Sequence, residues 1–165
     1  MKCLFVVDVQ NGFVSDKTKH IVPRIVDLMD KFSDYRIIST KFINNGNNAF
    51  SKIIHWHRLR ESPETDLIPE IKYRTDLIVD KFTYTACTDE IRQFLFDNKV
   101  EEVYIVGIDT DCCVLKTAID LFEMNIRPIV LTEYCASNGG KESHEAAIKV
   151  LKRTIGDNQI SSKIY

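Results

Sequence analysis

The run Leu4-Phe5-Val6-Val7 is wholly apolar and ends abruptly at Asp8. Such a run reads as a strand covered on both faces, which an open, half-solvated sheet does not supply. Further strand candidates follow at Arg36–Thr40, Leu77–Asp80, Val103–Val106 and Pro128–Leu131, and Ile160 falls in a last short one. Between them the period changes. Ile21, Ile25, Leu28, Met29 and Phe32 recur at helical spacing, and Ile91, Phe94 and Leu95 mark a helix that Thr88 is placed to cap. Cys113–Glu123 and Glu142–Lys152 read as two more helices, the second with Ala147, Val150 and Leu151 on one side. Strand and helix alternating in this way imply an α/β fold: a doubly wound, mainly parallel six-stranded sheet with helices on both faces, three layers in all. Without a repeat, low-complexity tract or linker, residues 1–165 read as a single domain. The exception to the rhythm is Phe42–Lys72, long, rich in Asn and His, and holding the only Trp. A long excursion from a strand's carboxyl end reads as a lid or pocket wall.

Composition narrows the classes. A net charge of −2 leaves no concentrated basic face for nucleic acid, and no apolar run approaches the roughly 20 residues of a membrane span. The first residues resemble a signal segment only briefly, because Asp8 interrupts them and no small-residue cleavage site follows. A cytoplasmic protein is expected. Its five cysteines, Cys3, Cys87, Cys112, Cys113 and Cys135, form no Cys-x-x-Cys pair, and in a reducing compartment they are expected as free thiols.

In an open α/β sheet, ligands lie beyond the carboxyl ends of the strands. Three reactive side chains fall there: Asp8 after the first strand, Lys81 after the third, and Cys113 after the fourth, at a helix start. A helix N-terminus and a nearby ammonium both stabilise a thiolate. Asp8 can take the thiol proton and later deliver it to a leaving amine. Attack on a carbonyl carbon then gives a tetrahedral oxyanion and a thioester, with backbone N–H groups of the Gly107–Cys113 turn available to the oxyanion. Each residue also has a plainer reading: Asp8 closing a turn, Lys81 as a solvated lysine. The argument rests on the three together.

The stretch Val106-Gly107-Ile108-Asp109-Thr110-Asp111-Cys112-Cys113-Val114-Leu115-Lys116-Thr117-Ala118 resembles the signature of the isochorismatase-like cysteine hydrolases, roughly G-x-x-T-D-x-C-V-x-x-T-A. Val7-Asp8-Val9-Gln10-Asn11-Gly12-Phe13 is similar to that family's D-x-Q-N-D-F motif, and Asp80-Lys81 with Phe82 and Tyr84 to its lysine segment. The family includes nicotinamidase and N-carbamoylsarcosine amidohydrolase. The resemblance implies an Asp8, Lys81, Cys113 triad with Cys112 on the variable position before the nucleophile. It also implies a cis peptide between Ile108 and Asp109 and an oxyanion hole made by the N–H groups of Asp109 and Cys113. It further implies hydrolysis of a C–N bond of a small amide or carbamoyl substrate, and assembly as a homodimer or homotetramer.

Metal-dependent nicotinamidases carry an Asp-x-His element after the second strand and a further His. Here the equivalent stretch is Thr40-Lys41-Phe42-Ile43-Asn44-Asn45. His55 and His57 lack a third ligand, and on a helix the two would diverge. Neither metal nor other cofactor is expected. Phe13, Phe42, Trp56 and Tyr84 are candidate pocket walls, against the alternative that they simply pack the core. Competing readings are an isochorismatase-type vinyl-ether hydrolase and a catalytically silent binding protein on the same fold. Phosphatase spacing fails, since the sixth residues after the two adjacent thiols are Ala118 and Ile119, and no phosphate-cradling glycine loop exists.

Overall fold

The computed structural model describes residues 1–32 and 34–162. Six strands, β1 (Lys2–Val7), β2 (Arg36–Phe42), β3 (Leu77–Lys81), β4 (Glu102–Ile108), β5 (Arg127–Ala136) and β6 (Ile160–Ser161), form one sheet in the order β3-β2-β1-β4-β5-β6. All five pairings are parallel, so the sheet is wholly rather than mainly parallel. The helices are α1 (Val22–Lys31), α2 (Ala49–Lys52), α3 (Pro69–Lys72), α4 (Asp89–Asp97), α5 (Leu115–Glu123) and α6 (Lys141–Ile155).

Strand periodicity sorts the side chains of β1 between two cores. Cys3, Phe5 and Val7 point to one face with Val103 and Ile105, where Ile91, Leu95, Ala118, Leu121, Leu151 and Ile155 of α4, α5 and α6 cover them. Leu4 and Val6 point to the other with Val106 and Ile108, against Ile25, Leu28 and Met29 of α1 and Ile71 of α3. Each such aliphatic side chain, once buried, stabilises the fold by roughly 1.5–3 kcal/mol. That is why β1 has no polar position between Lys2 and Asp8.

Strand order reverses between β1 and β4, and their carboxyl ends open the crevice where ligands of such sheets lie. Gly107 makes the closest approach there. Its φ is +126°, and a Cβ on it would stand 2.1 Å from the Val7 carbonyl oxygen, so only glycine fits. The β4–β5 register shifts between Ile105 and Gly107, and β5 runs on to place Cys135 and Ala136 beside Gly107 and Ile108. The strand is thus longer than the apolar run Pro128–Leu131 implies, and it delivers Ser137 and Asn138 to the crevice. Thr88 caps α4 by accepting from the Ile91 N–H at 3.3 Å. The excursion after β2 carries α2 and α3 and is tied down by a bridge between Gln10 and Leu67.

Candidate active site

Asp8 follows β1 directly, in the left-handed region at φ +51°. Lys81 is the last residue of β3, and both side chains are 0% exposed. Lys81 Nζ stands 2.7 Å from Asp8 Oδ2 and 3.4 Å from Cys113 Sγ, and donates to the carbonyls of Thr83 at 2.9 Å and Tyr84 at 3.1 Å. The solvated-lysine alternative does not describe this side chain. Burial pulls the ammonium toward neutrality, but the facing Asp8 and Cys113 outweigh it and hold its pKa above the ordinary lysine value. The ring of Phe42 lies 5.2 Å below the same nitrogen.

The other oxygen of the carboxylate is fixed by a residue that motif reading passes over. Thr40 donates its hydroxyl to Asp8 Oδ1 at 2.7 Å and accepts from the Asp8 N–H at 3.3 Å. Asp8 Oδ2, by contrast, is buried against the Lys81 ammonium at 2.7 Å. Gln10 braces the next turn, donating to the Phe42 and Thr65 carbonyls at 2.9 Å each and accepting from the Phe42 N–H at 2.8 Å.

Cys113 departs from the sequence reading in two ways. It does not open the α-helix: a wide π-helical turn, Thr110–Val114, precedes α5, in which the Asp109 carbonyl accepts from both the Cys112 and Val114 N–H groups at 3.1 Å. And its surroundings shift the thiol against ionisation. Burial first, and the negative charge of Asp8 second, push its pKa well above the usual thiol range, and Lys81 only partly opposes them. The thiol is thus disfavoured as an anion and lies within the same buried contact as the Asp8 carboxylate. The peptide between Ile108 and Asp109 is cis.

Over the thiol lies a cavity of about 250 Å³. Phe13, Phe42, Trp56 and Tyr84 all line it, together with Phe50, Ile54 and Arg58 from the excursion and Asp109, Cys112 and Asn138 from the strand ends. Phe13 and Trp56 are near-parallel at 8°, and Phe50 meets Phe42 and Tyr84 edge-on. Phe50, Arg58 and Asn138 escape sequence reasoning because each lies outside any periodic or motif context. Arg58 is committed to Glu64 through Nε at 3.1 Å and Nη2 at 2.9 Å. Asn138 donates to Asp109 Oδ1 through its backbone N–H at 2.7 Å and its side chain at 2.9 Å.

Where the metal-dependent pattern needs acid and imidazole, the Thr40 hydroxyl serves Asp8, and the Asn44 side chain serves the Trp56 carbonyl and the Gly46 N–H. His57 Nδ1 lies 3.4 Å from Arg60 Nη2. Among the described residues, no three His, Cys, Asp or Glu side chains come together to hold a metal. Nor is any helix among them long and apolar enough to cross a membrane.

This sheet order brings a carboxylate, an ammonium and a thiol together at its switch point in a wholly parallel α/β sheet, and comparison with known proteins identifies the family. The family model of the isochorismatase domain matches residues 2–161, and the chain belongs to that family. It is 26% identical over 157 residues to isochorismatase family protein 2A of Dictyostelium discoideum, spanning 92% of this chain and 74% of that one. It is 24% identical over 188 residues to the nicotinamidase of Saccharomyces cerevisiae, spanning 81% of this chain and 87% of the other. The crystal structure of N-carbamoylsarcosine amidase from Thermoplasma acidophilum shares the fold with a TM-score of 0.82 at 21% identity, over 97% of this chain and 94% of that one.

Proposed function

We propose that the chain is a cysteine hydrolase that cleaves a C–N bond of a small amide or carbamoyl compound through a thioester on Cys113. The observation that carries this reading is the buried contact of three side chains: Lys81 Nζ at 2.7 Å from Asp8 Oδ2 and 3.4 Å from Cys113 Sγ. The named relatives, a nicotinamidase and an N-carbamoylsarcosine amidase, support it. As Sγ bonds to the carbonyl carbon, its proton passes to Asp8 Oδ2. The N–H groups of Asp109 and Cys113 take the developing oxyanion. Asp8 then returns the proton to the departing nitrogen, and ammonia or an amine leaves. Water attacks the thioester with its proton going to Asp8, the C–S bond breaks, and Sγ recovers its proton as the acid departs. Lys81, 2.7 Å from Oδ2, keeps the Asp8 carboxyl oriented through each proton transfer. No step requires a metal.

An ammonia-release screen over small amides, ureas and carbamoyl compounds, with and without chelator, tests the reading. Cys113→Ala is expected to abolish turnover and Cys112→Ala to retain most of it. Intact protein mass during turnover is expected to show an acyl adduct on the former thiol. Full activity in Cys113→Ala, or chelator sensitivity, would overturn the mechanism.

A further inference from the structure

Charge in the cavity is unevenly spent. Arg58 is neutralised by Glu64, whose second oxygen also takes the Leu59 N–H at 2.8 Å, and Lys81 is enclosed with Asp8 and Cys113. Among the described residues, a substrate carboxylate therefore meets no uncommitted cation in this cavity. Asp109 is the opposite case. Both Asn138 hydrogen bonds end on Oδ1, and among the described residues no hydrogen bond ends on Oδ2. Asn138 is itself anchored, donating to the Phe13 carbonyl at 3.0 Å and accepting from the Ser15 hydroxyl at 2.8 Å, so the carboxylate is held in one orientation. It lines the same cavity as Cys113, opposite a wall of aromatic rings that favour an apolar body and attract a cation over their faces.

We infer that Asp109, through its uncommitted carboxylate oxygen, is a specificity-determining residue that selects amides bearing an amino or ammonium group close to the scissile carbonyl, on an apolar or aromatic body. The inference rests on the amidase reading for its reaction but concerns recognition, and the two fail separately. A carboxylate facing an ammonium makes a charge-assisted hydrogen bond, and the same carboxylate facing a methyl group is left desolvated without a partner.

The matched probes are 2-phenylglycinamide and 2-phenylpropanamide, which differ by an ammonium in place of a methyl. Binding to the Cys113→Ala protein, which cannot form the thioester, is measured by calorimetry, and kcat/KM is measured on the wild type. The ammonium amide is expected to bind at least about tenfold more tightly, the worth of one charge-assisted hydrogen bond. Adding Asp109→Asn, which keeps the Oδ1 acceptor for Asn138, is expected to remove most of that preference, and Asn138→Ala to weaken it. Equal binding of the two probes, no binding of either, or a preference that survives Asp109→Asn overturns the inference. Preferential binding without hydrolysis by the wild type sustains it and counts against the amidase reading instead.

Discussion

Replacing Lys81 by Met removes one charge from a place with no water to answer for it. The Met side chain keeps a stem of similar length against the Phe42 ring, so packing changes little. What is lost is the ammonium 2.7 Å from Asp8 Oδ2, with both partners 0% exposed. Breaking a buried pair from one side costs about 3–5 kcal/mol, because the remaining charge is left uncompensated. The Thr83 and Tyr84 carbonyls lose their Nζ donor as well, each worth about 1 kcal/mol. Against the roughly 5–15 kcal/mol that holds a domain together, this is a large fraction. The assay is urea unfolding followed by the fluorescence of Trp56, the one tryptophan of the chain. It is run as a cycle with Asp8→Asn and with both changes together. The double variant is expected to be more stable than the sum of the single losses by about 2 kcal/mol or more, since each single change strands a partner. A loss below about 1 kcal/mol for Lys81→Met, with no coupling to Asp8→Asn, would refute the buried-pair argument.

Gly107→Ala is expected to cost more than about 4 kcal/mol or to prevent soluble folding, because its Cβ would meet the Val7 carbonyl at 2.1 Å in the central strand pair. Native-like unfolding of that variant would show that β1 and β4 can separate at little cost. Asp109 offers a pH test with a defined sign. Burial first, against hydrogen bonds from Asn138 and with Asp111 and Asp8 nearby, raises its carboxyl from 3.8 to about 6. A folded-state value above the unfolded one means stability present at low pH and lost as pH rises through about 6. Asp109→Asn is therefore expected to match wild type below about pH 4 and to gain up to about 3 kcal/mol above pH 6, less to the extent that the group is solvated. Parallel stability curves for the two proteins would refute the burial argument.

Position along the sheet was the legible part of this site. An apolar run that ends at Asp8 identifies a strand end by composition alone, and the motif turn after β4 places Cys113 beside it. The supporting residues were hidden for a geometric reason: they are defined by register, and register is a pairing between distant segments. Thr40 reaches Asp8 because β1 and β2 pair Val7 with Thr40. Asn138 reaches Asp109 because β5 shifts register and overruns its apolar stretch. Neither relation leaves a trace in local spacing. The excursion after β2 was recognisable as a pocket wall by length, but Phe50 and Arg58 have no periodic neighbours to single them out.

The protonation state of Cys113 is the instructive case, because sequence and structure invoke different physics. A thiol near a helix start and a lysine suggests an anion, stabilised by dipole and charge. The structure adds two facts that reverse the sign: the helix begins only at Leu115, and the sulfur is buried against a carboxylate. Desolvation disfavours the charged thiolate and Asp8 repels it, while Lys81 only partly opposes them. On the proposed mechanism the nucleophile is therefore made during attack, as the proton moves to Asp8 Oδ2 while negative charge passes from sulfur to the substrate oxygen, which ties reactivity to a carbonyl held in place.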